Sequence, residues 1–284
     1  MYESFYGFSE KPFSLLPDPG FLFPSKKHRM ALTMLQYGLM NQAGITVITG
    51  EVGSGKTTLI RKLLSEIGND ITVGLISNTH ESFGDLLQWV SMAFNLEHKG
   101  KDKVALYDAF VNYVINEYAN SKRTVLIIDE AQNLSPSVLE ELRMLSNINA
   151  DKDQVLQLIL VGQPELRETL QRQDLRQFAQ RVSADYHLSP LAPDEAVAYI
   201  HHRLKMVGGD ENIFELDACK IIWKYSGGIP RLINTLCDTA LVYAYADQVK
   251  SVSRKLAAEV IVEKQKGGIF PVLGNDKGSR NISA

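Results

Sequence analysis

The sequence has little cysteine, no long apolar run and no excess of positive charge, and each absence narrows the field. The two cysteines, Cys219 and Cys237, fall in helical patterns at a spacing that matches no metal motif. Buried reduced thiols are the expectation. No apolar stretch approaches the roughly 20 residues that a spanning helix needs. The N-terminus, MYESFYGFSEKPF, lacks a basic segment followed by an apolar core, so no signal peptide is expected. Together these features predict a soluble, cytoplasmic protein, with membrane proximity arising through a partner. A net charge of −3 gives no global electrostatic footprint for nucleic acid and leaves room only for a local basic patch.

What is present is ordinary globular composition, 45% hydrophobic and 22% charged over 284 residues, enough for one large α/β domain and a smaller second one. Residues 1–25 are rich in aromatics, Pro and Gly (FYGF, KPF, LLPDPGFLFP) and read as an ordered, irregular arm. Residues 26–42 carry Met30, Met34, Tyr37 and Leu32, Leu35, Leu39 at helical spacing, with Ser25 as the N-cap. Strand patterns follow at 45–49, 71–77, 124–129 and 156–162, with a short one around 186–191. Helical patterns separate them: LIRKLLSEI, then 82–96, 104–118, 136–147 and 164–172. Continuous Val/Ile/Leu strands alternating with helices predict a parallel sheet covered on both faces. Past Pro193 only helical patterns remain. The chain is thus expected to comprise an arm (1–25), an α/β domain (26–192), a small all-helical domain (193–264) and a disordered tail (265–284).

The chemistry concentrates in TGEVGSGKTT. Gly50, Glu51, Val52, Gly53, Ser54, Gly55, Lys56 and Thr57 match G-x-x-x-x-G-K-[ST] in full, between a predicted strand and a predicted helix. The glycines let the backbone curl until its N–H groups point at phosphate oxygens, and the helix N-terminus faces the same anion. Lys56 is expected on the β- and γ-phosphates of ATP, Thr57 on Mg²⁺ and Thr58 near the α-phosphate. The run TVLIIDEAQ ends a buried strand in Asp129, placed to hold the Mg²⁺ hydration shell, and Glu130, placed to polarise the attacking water. Gln163, closing the next strand, is expected to orient that water; helix capping is the competing reading. Arg176 and Arg181 precede the last strand of the α/β domain. Either suits an arginine finger reaching a neighbouring copy, and solvated arginines are the alternative for both. Arg231 follows Pro230 at a helix start in the helical domain and suits a sensor that closes over bound ATP.

Other residues carry weaker signals. His201 and His202 are adjacent, face different directions on a helix and make no metal site. Trp89 and Trp223 lie on apolar helical faces and read as core. Phe13, Asp18, Phe21, His28 and Tyr37 either wall the adenine pocket or simply pack the arm; both readings stand.

Together these motifs resemble an AAA+ ATPase. Further, FYGFSEKPFSLLPDPGFLF, SKKHRMALTMLQYGL, TGEVGSGKTT, IIDEAQNL and VGQPEL resemble the general secretion pathway protein A (ExeA) family. Within it the chain looks most like the secretion ATPases of bacterial exopolysaccharide and protein-sorting loci. The resemblance runs from Met1 to about Lys264. It implies a P-loop module with a five-stranded parallel sheet of order 5-1-4-3-2 and a small helical lid. It also implies homo-oligomeric assembly, such as a hexameric ring, and ATP hydrolysis that drives or regulates assembly of an envelope machine. Longer family members carry a transmembrane helix and a peptidoglycan-binding region that are not found in this sequence, so a membrane-bound partner is expected to make the coupling. DNA-transposition regulators resembling TniB share the P-loop, DEAQ-like and VGQPEL-like runs, and imply a DNA-dependent switch instead. The acidic balance and the absence of a basic arm weigh against DNA as a partner. A nucleotide-dependent assembly scaffold is the third reading.

Overall fold

Alternation along buried strands organises the sheet. The computed structural model describes residues 1–77, 85–150 and 153–267. It contains β1 (Ile45–Gly50), β2 (Ile71–Ile76), β3 (Arg123–Ile128), β4 (Leu156–Gly162) and β5 (Val182–Leu188) in one sheet, ordered β2-β3-β4-β1-β5 with every pairing parallel. This is the expected order, 5-1-4-3-2, read from the other edge. Ile45, Val47, Leu126, Ile128, Leu158 and Leu160 face one way, onto Leu87, Val90, Phe110, Leu139 and Leu166. The intervening Ile48, Val125, Ile127, Ile159 and Val161 face the other, onto Leu35, Leu39, Ile60 and Leu63. The period of two thus feeds two apolar layers, as a sheet covered on both faces requires.

Helices on this sheet begin where capping residues permit. Asp102 accepts from the Ala105 N–H at 2.8 Å to open Lys103–Ala119, and Ser135 with Pro136 opens Pro136–Leu145. Two sequence expectations need correction. The last strand starts at Val182, well before the YHLSPL run, because an edge strand alternates exposed and buried residues and shows no apolar run. The helix expected from Ser82 is Leu86–Ala93, opened by the Asp85 carboxylate; the part of that expectation covering 82–84 lies outside the described residues.

The chain divides into two compact units, the sheet unit (Arg29–Gly50 and Leu59–Leu188) and a helical unit of Met1–His28, Glu51–Thr58 and the residues from Ser189 on. The helical unit is built on Pro193–Met206, Leu216–Ser226, Pro230–Ala246 and Arg254–Gly267. The last helix passes the expected lid end at Lys264; the expected tail beyond Gly267 lies outside the described residues. Ile200, Leu204, Ile222, Ile233, Leu241 and Ile261 form its core, and the arm's Tyr2, Phe8, Phe13 and Phe21 enter the same core. Buried Arg203 anchors the arm: its guanidinium donates to the Pro12 and Ser14 carbonyls and lies 4.4 Å from the Phe21 ring centroid. Cys219 and Cys237 are buried free thiols, and burial pushes the Cys219 pKa up to about 12.

Candidate functional site

The loop after β1 has the backbone its sequence demands. Gly53 (φ 79°) and Gly55 (φ 102°) occupy the left-handed region, where a side chain is strained. Lys56 opens the helix Lys56–Glu66 and is largely buried, its Nζ donating to the Glu51 carbonyl at 3.0 Å. Thr57 and Thr58 stand half-buried in that helix's first turn, Gly50 ends β1, and Val52 at the loop's crown is exposed. Ser54 is buried, and among the described residues its hydroxyl has no hydrogen-bond partner. A buried polar group in that condition calls for a ligand or water.

Two residues from outside the loop hold it within the helical unit. The Arg231 N–H donates to the Gly53 carbonyl at 3.2 Å, and a Cβ on Gly53 would fall 2.4 Å from the Arg231 Cβ. Glycine is therefore required there for close approach as well as for its φ. The Arg231 head stays exposed, one residue past Pro230 at the start of its helix. The second residue is His28, whose Nε2 lies 3.0 Å from the Ser54 carbonyl and whose Nδ1 lies 2.8 Å from Ser25 Oγ. Burial is the main cause pulling the His28 pKa below its ordinary value.

The sheet unit holds a second constellation at the carboxyl ends of β3 and β4, where ligands of open α/β sheets bind. Asp129 is buried, and its Oδ1 accepts from the Glu130 N–H at 2.9 Å. Glu130 itself is left-handed at φ 55°. A glutamate seldom adopts that conformation, and its neighbours hold it there. Gln132 Nε2 donates to Glu130 Oε2 at 2.7 Å and Gln163 Nε2 to the same oxygen at 3.3 Å. Gln132 Oε1 accepts from the Gln163 N–H at 3.0 Å, which fixes which end of the Gln132 amide faces the carboxylate. Two amides thus grip one carboxylate oxygen, and Gln163 makes no side-chain cap to the helix Pro164–Leu170.

The two candidate fingers differ. Arg176 is exposed in the short helix Arg176–Ala179, whereas Arg181 is half-buried before β5 and donates to Ser146 Oγ at 3.4 Å. Of the five residues considered for an adenine pocket, Phe13 meets Phe214 edge to face in the helical core, Phe21 lies under Arg203, and Asp18 accepts from the Gly20 N–H in a tight turn. Those three make packing contacts within the helical unit; Tyr37 is 52% exposed on its helix, and His28 reaches the loop. Trp223 donates to the Leu191 carbonyl at 3.0 Å, and Trp89 is half-buried against the core of the sheet unit. His202 lies beside Phe23, and among the described residues no group of three His, Cys, Asp or Glu is placed to hold a metal. Sequence reasoning missed Gln132 and the loop contact of His28. The first was signalled by an amide two residues past a strand-ending carboxylate; nothing in the sequence signalled the second.

A family model described as an AAA domain matches residues 39–170. The chain is 42% identical over 247 residues to the General secretion pathway protein A of Aeromonas hydrophila, across 87% of this chain and 45% of that protein. It therefore spans about half the length of that relative. Among solved structures it is similar to the Aeropyrum pernix ORC2 protein in its ADPNP-ADP complexes (TM-score 0.67, 18% identity, 90% of this chain and 72% of that one). It is also similar to Cdc6p from Pyrobaculum aerophilum (TM-score 0.67, 17% identity, 92% and 73%). The Thermotoga maritima RuvB Holliday junction branch migration motor is a further match (TM-score 0.55, 17% identity, 86% and 70%). At these identities the structural likeness speaks for the fold alone.

Proposed function

We propose that this chain, which has an AAA-type P-loop fold and is similar to General secretion pathway protein A, hydrolyses ATP with Mg²⁺ to drive or regulate assembly of a bacterial envelope machine for secretion or exopolysaccharide export. The observation that carries the nucleotide reading is the unpartnered, buried Ser54 hydroxyl in a loop curled by Gly53 and Gly55. A phosphate supplies the partner such a hydroxyl lacks, and the loop's backbone amides and Lys56 supply donors and charge.

The residues divide the work as follows. Glycine-loop amides and Lys56 bind the phosphates, with Thr58 beside them. Thr57 and Asp129 have the oxygen ligands Mg²⁺ prefers, and the ion, when bound, neutralises phosphate charge. Glu130 takes a proton from the attacking water as its oxygen bonds to the γ-phosphorus and the bridging oxygen leaves with ADP. Gln163 orients that water, its amide already lying on Glu130. Arg231 responds to bound nucleotide from the helical unit, and Arg176 or Arg181 reaches a neighbouring copy's γ-phosphate. Among the described residues no helix is long and apolar enough to cross a membrane. In this reading a membrane-bound partner links the ATPase to the envelope.

Phosphate release measured across a protein concentration series tests this reading. Specific activity is expected to rise with concentration as copies complete one another's sites, and to depend on Mg²⁺. Equal specific activity from dilute to concentrated protein would remove the shared site. Strong, salt-sensitive stimulation by duplex DNA would move the assignment to a DNA-dependent switch.

A further inference from the structure

We propose that His28, at the junction of the arm and the first long helix, is a positioning residue of the phosphate loop, fixing the Ser54–Gly55 peptide in the orientation that receives phosphate. The inference rests on the nucleotide-binding reading above. Its first support is a closed set of hydrogen bonds. Ser25 Oγ accepts from the His28 backbone N–H at 3.2 Å and, with its own hydrogen, is free to donate to Nδ1 at 2.8 Å. That arrangement puts the ring proton on Nε2, which then donates to the Ser54 carbonyl at 3.0 Å. Every side-chain polar atom of the pair is used, and the ring is buried.

The second support is peptide geometry. In a trans peptide the C=O and the following N–H point in opposite directions. A Ser54 carbonyl held by His28 therefore turns the Gly55 N–H away from the imidazole, as a donor for phosphate. The third is exclusion. A Cβ on residue 55 would come 3.1 Å from His28 Nε2, so ring and glycine are mutually fitted. The Gly53 carbonyl is meanwhile taken by the Arg231 N–H, so two consecutive loop carbonyls are occupied by donors from outside the loop.

The test compares His28→Leu, which removes the donor, with His28→Gln, whose side-chain amide nitrogen reaches about as far as Nε2. ATP and ADP affinities of the 284-residue chain are measured by titration, alongside the melting temperature without nucleotide. His28→Leu is expected to weaken both nucleotides about tenfold or more, and His28→Gln to stay within about threefold of wild type. Wild-type affinity in His28→Leu overturns the proposal, as does a Gln variant as weak as the Leu variant. Should His28→Leu fail to fold, Ser25→Ala decides: it leaves the ring but frees its orientation, and about threefold weaker binding is expected against no change. A wild-type chain that binds neither nucleotide refutes the nucleotide reading itself, a separate outcome.

Discussion

At the scale of single residues, Glu130 and its two amides make the sharpest case. The sequence singles out Asp129 and Glu130 because an apolar run ends in two acids, and the structure sets both at the carboxyl end of β3. Gln132 carried only a faint signal, its place two residues past Glu130, since its pairing with Gln163 across 31 positions arises only when β3 and β4 lie side by side. Gln132→Ala should lower turnover about tenfold while leaving ATP affinity unchanged, because it frees a carboxylate without touching the loop. In a Glu130→Gln background the same change should have no further effect, which a rate-based double-mutant cycle reads directly. Histidine burial has its own signature. The His28 and His202 pKa values lie below the ordinary 6.5, burial being the first cause for each. Between those depressed values and 6.5 the unfolded chain binds more protons than the folded one, so stability falls as pH drops below 6.5. Melting temperatures without nucleotide across pH 7 to 5 should decline, and His28→Leu should shallow the decline.

At the scale of elements, central strands were readable and edges were not. β1, β3 and β4 are continuous apolar runs buried in the sheet, and the expected boundaries differ by a residue at most. β5 hid its start because Val182–Tyr186 alternates with solvent. The arm was expected to be ordered, but its partner was not foreseeable: aromatics reveal burial without saying against what, and Arg203 supplies the answer from 191 and 189 residues away. Close approach of helix to sheet is likewise silent in sequence. A Cβ on Gly38 would lie 2.3 Å from Thr46 Oγ1, so the helix Lys26–Met40 rests directly on β1. Gly38→Val should destabilise the protein by about 1–3 kcal/mol through overpacking, measured by denaturant unfolding. An unchanged midpoint would show that the helix sits farther from the strand.

At the scale of the whole molecule, the same chain carries a phosphate loop held from the arm and the helical domain, and a carboxylate gripped at the end of the sheet. Composition and charge gave no sign of a membrane span or a polyanion partner, yet they were silent on what the proposed ATP hydrolysis serves; that proposal rests on similarity to a relative of which this chain spans about half. The family resemblance read in the motifs agrees with the 42% identity to General secretion pathway protein A over 247 residues. The division of labour between binding and chemistry is the central claim, and Glu130→Gln tests it most directly. The measurement is ATP affinity and phosphate release for wild type and variant, side by side with Mg²⁺. The account predicts wild-type affinity with turnover reduced by about 100-fold or more. Undiminished phosphate release from the variant would contradict it.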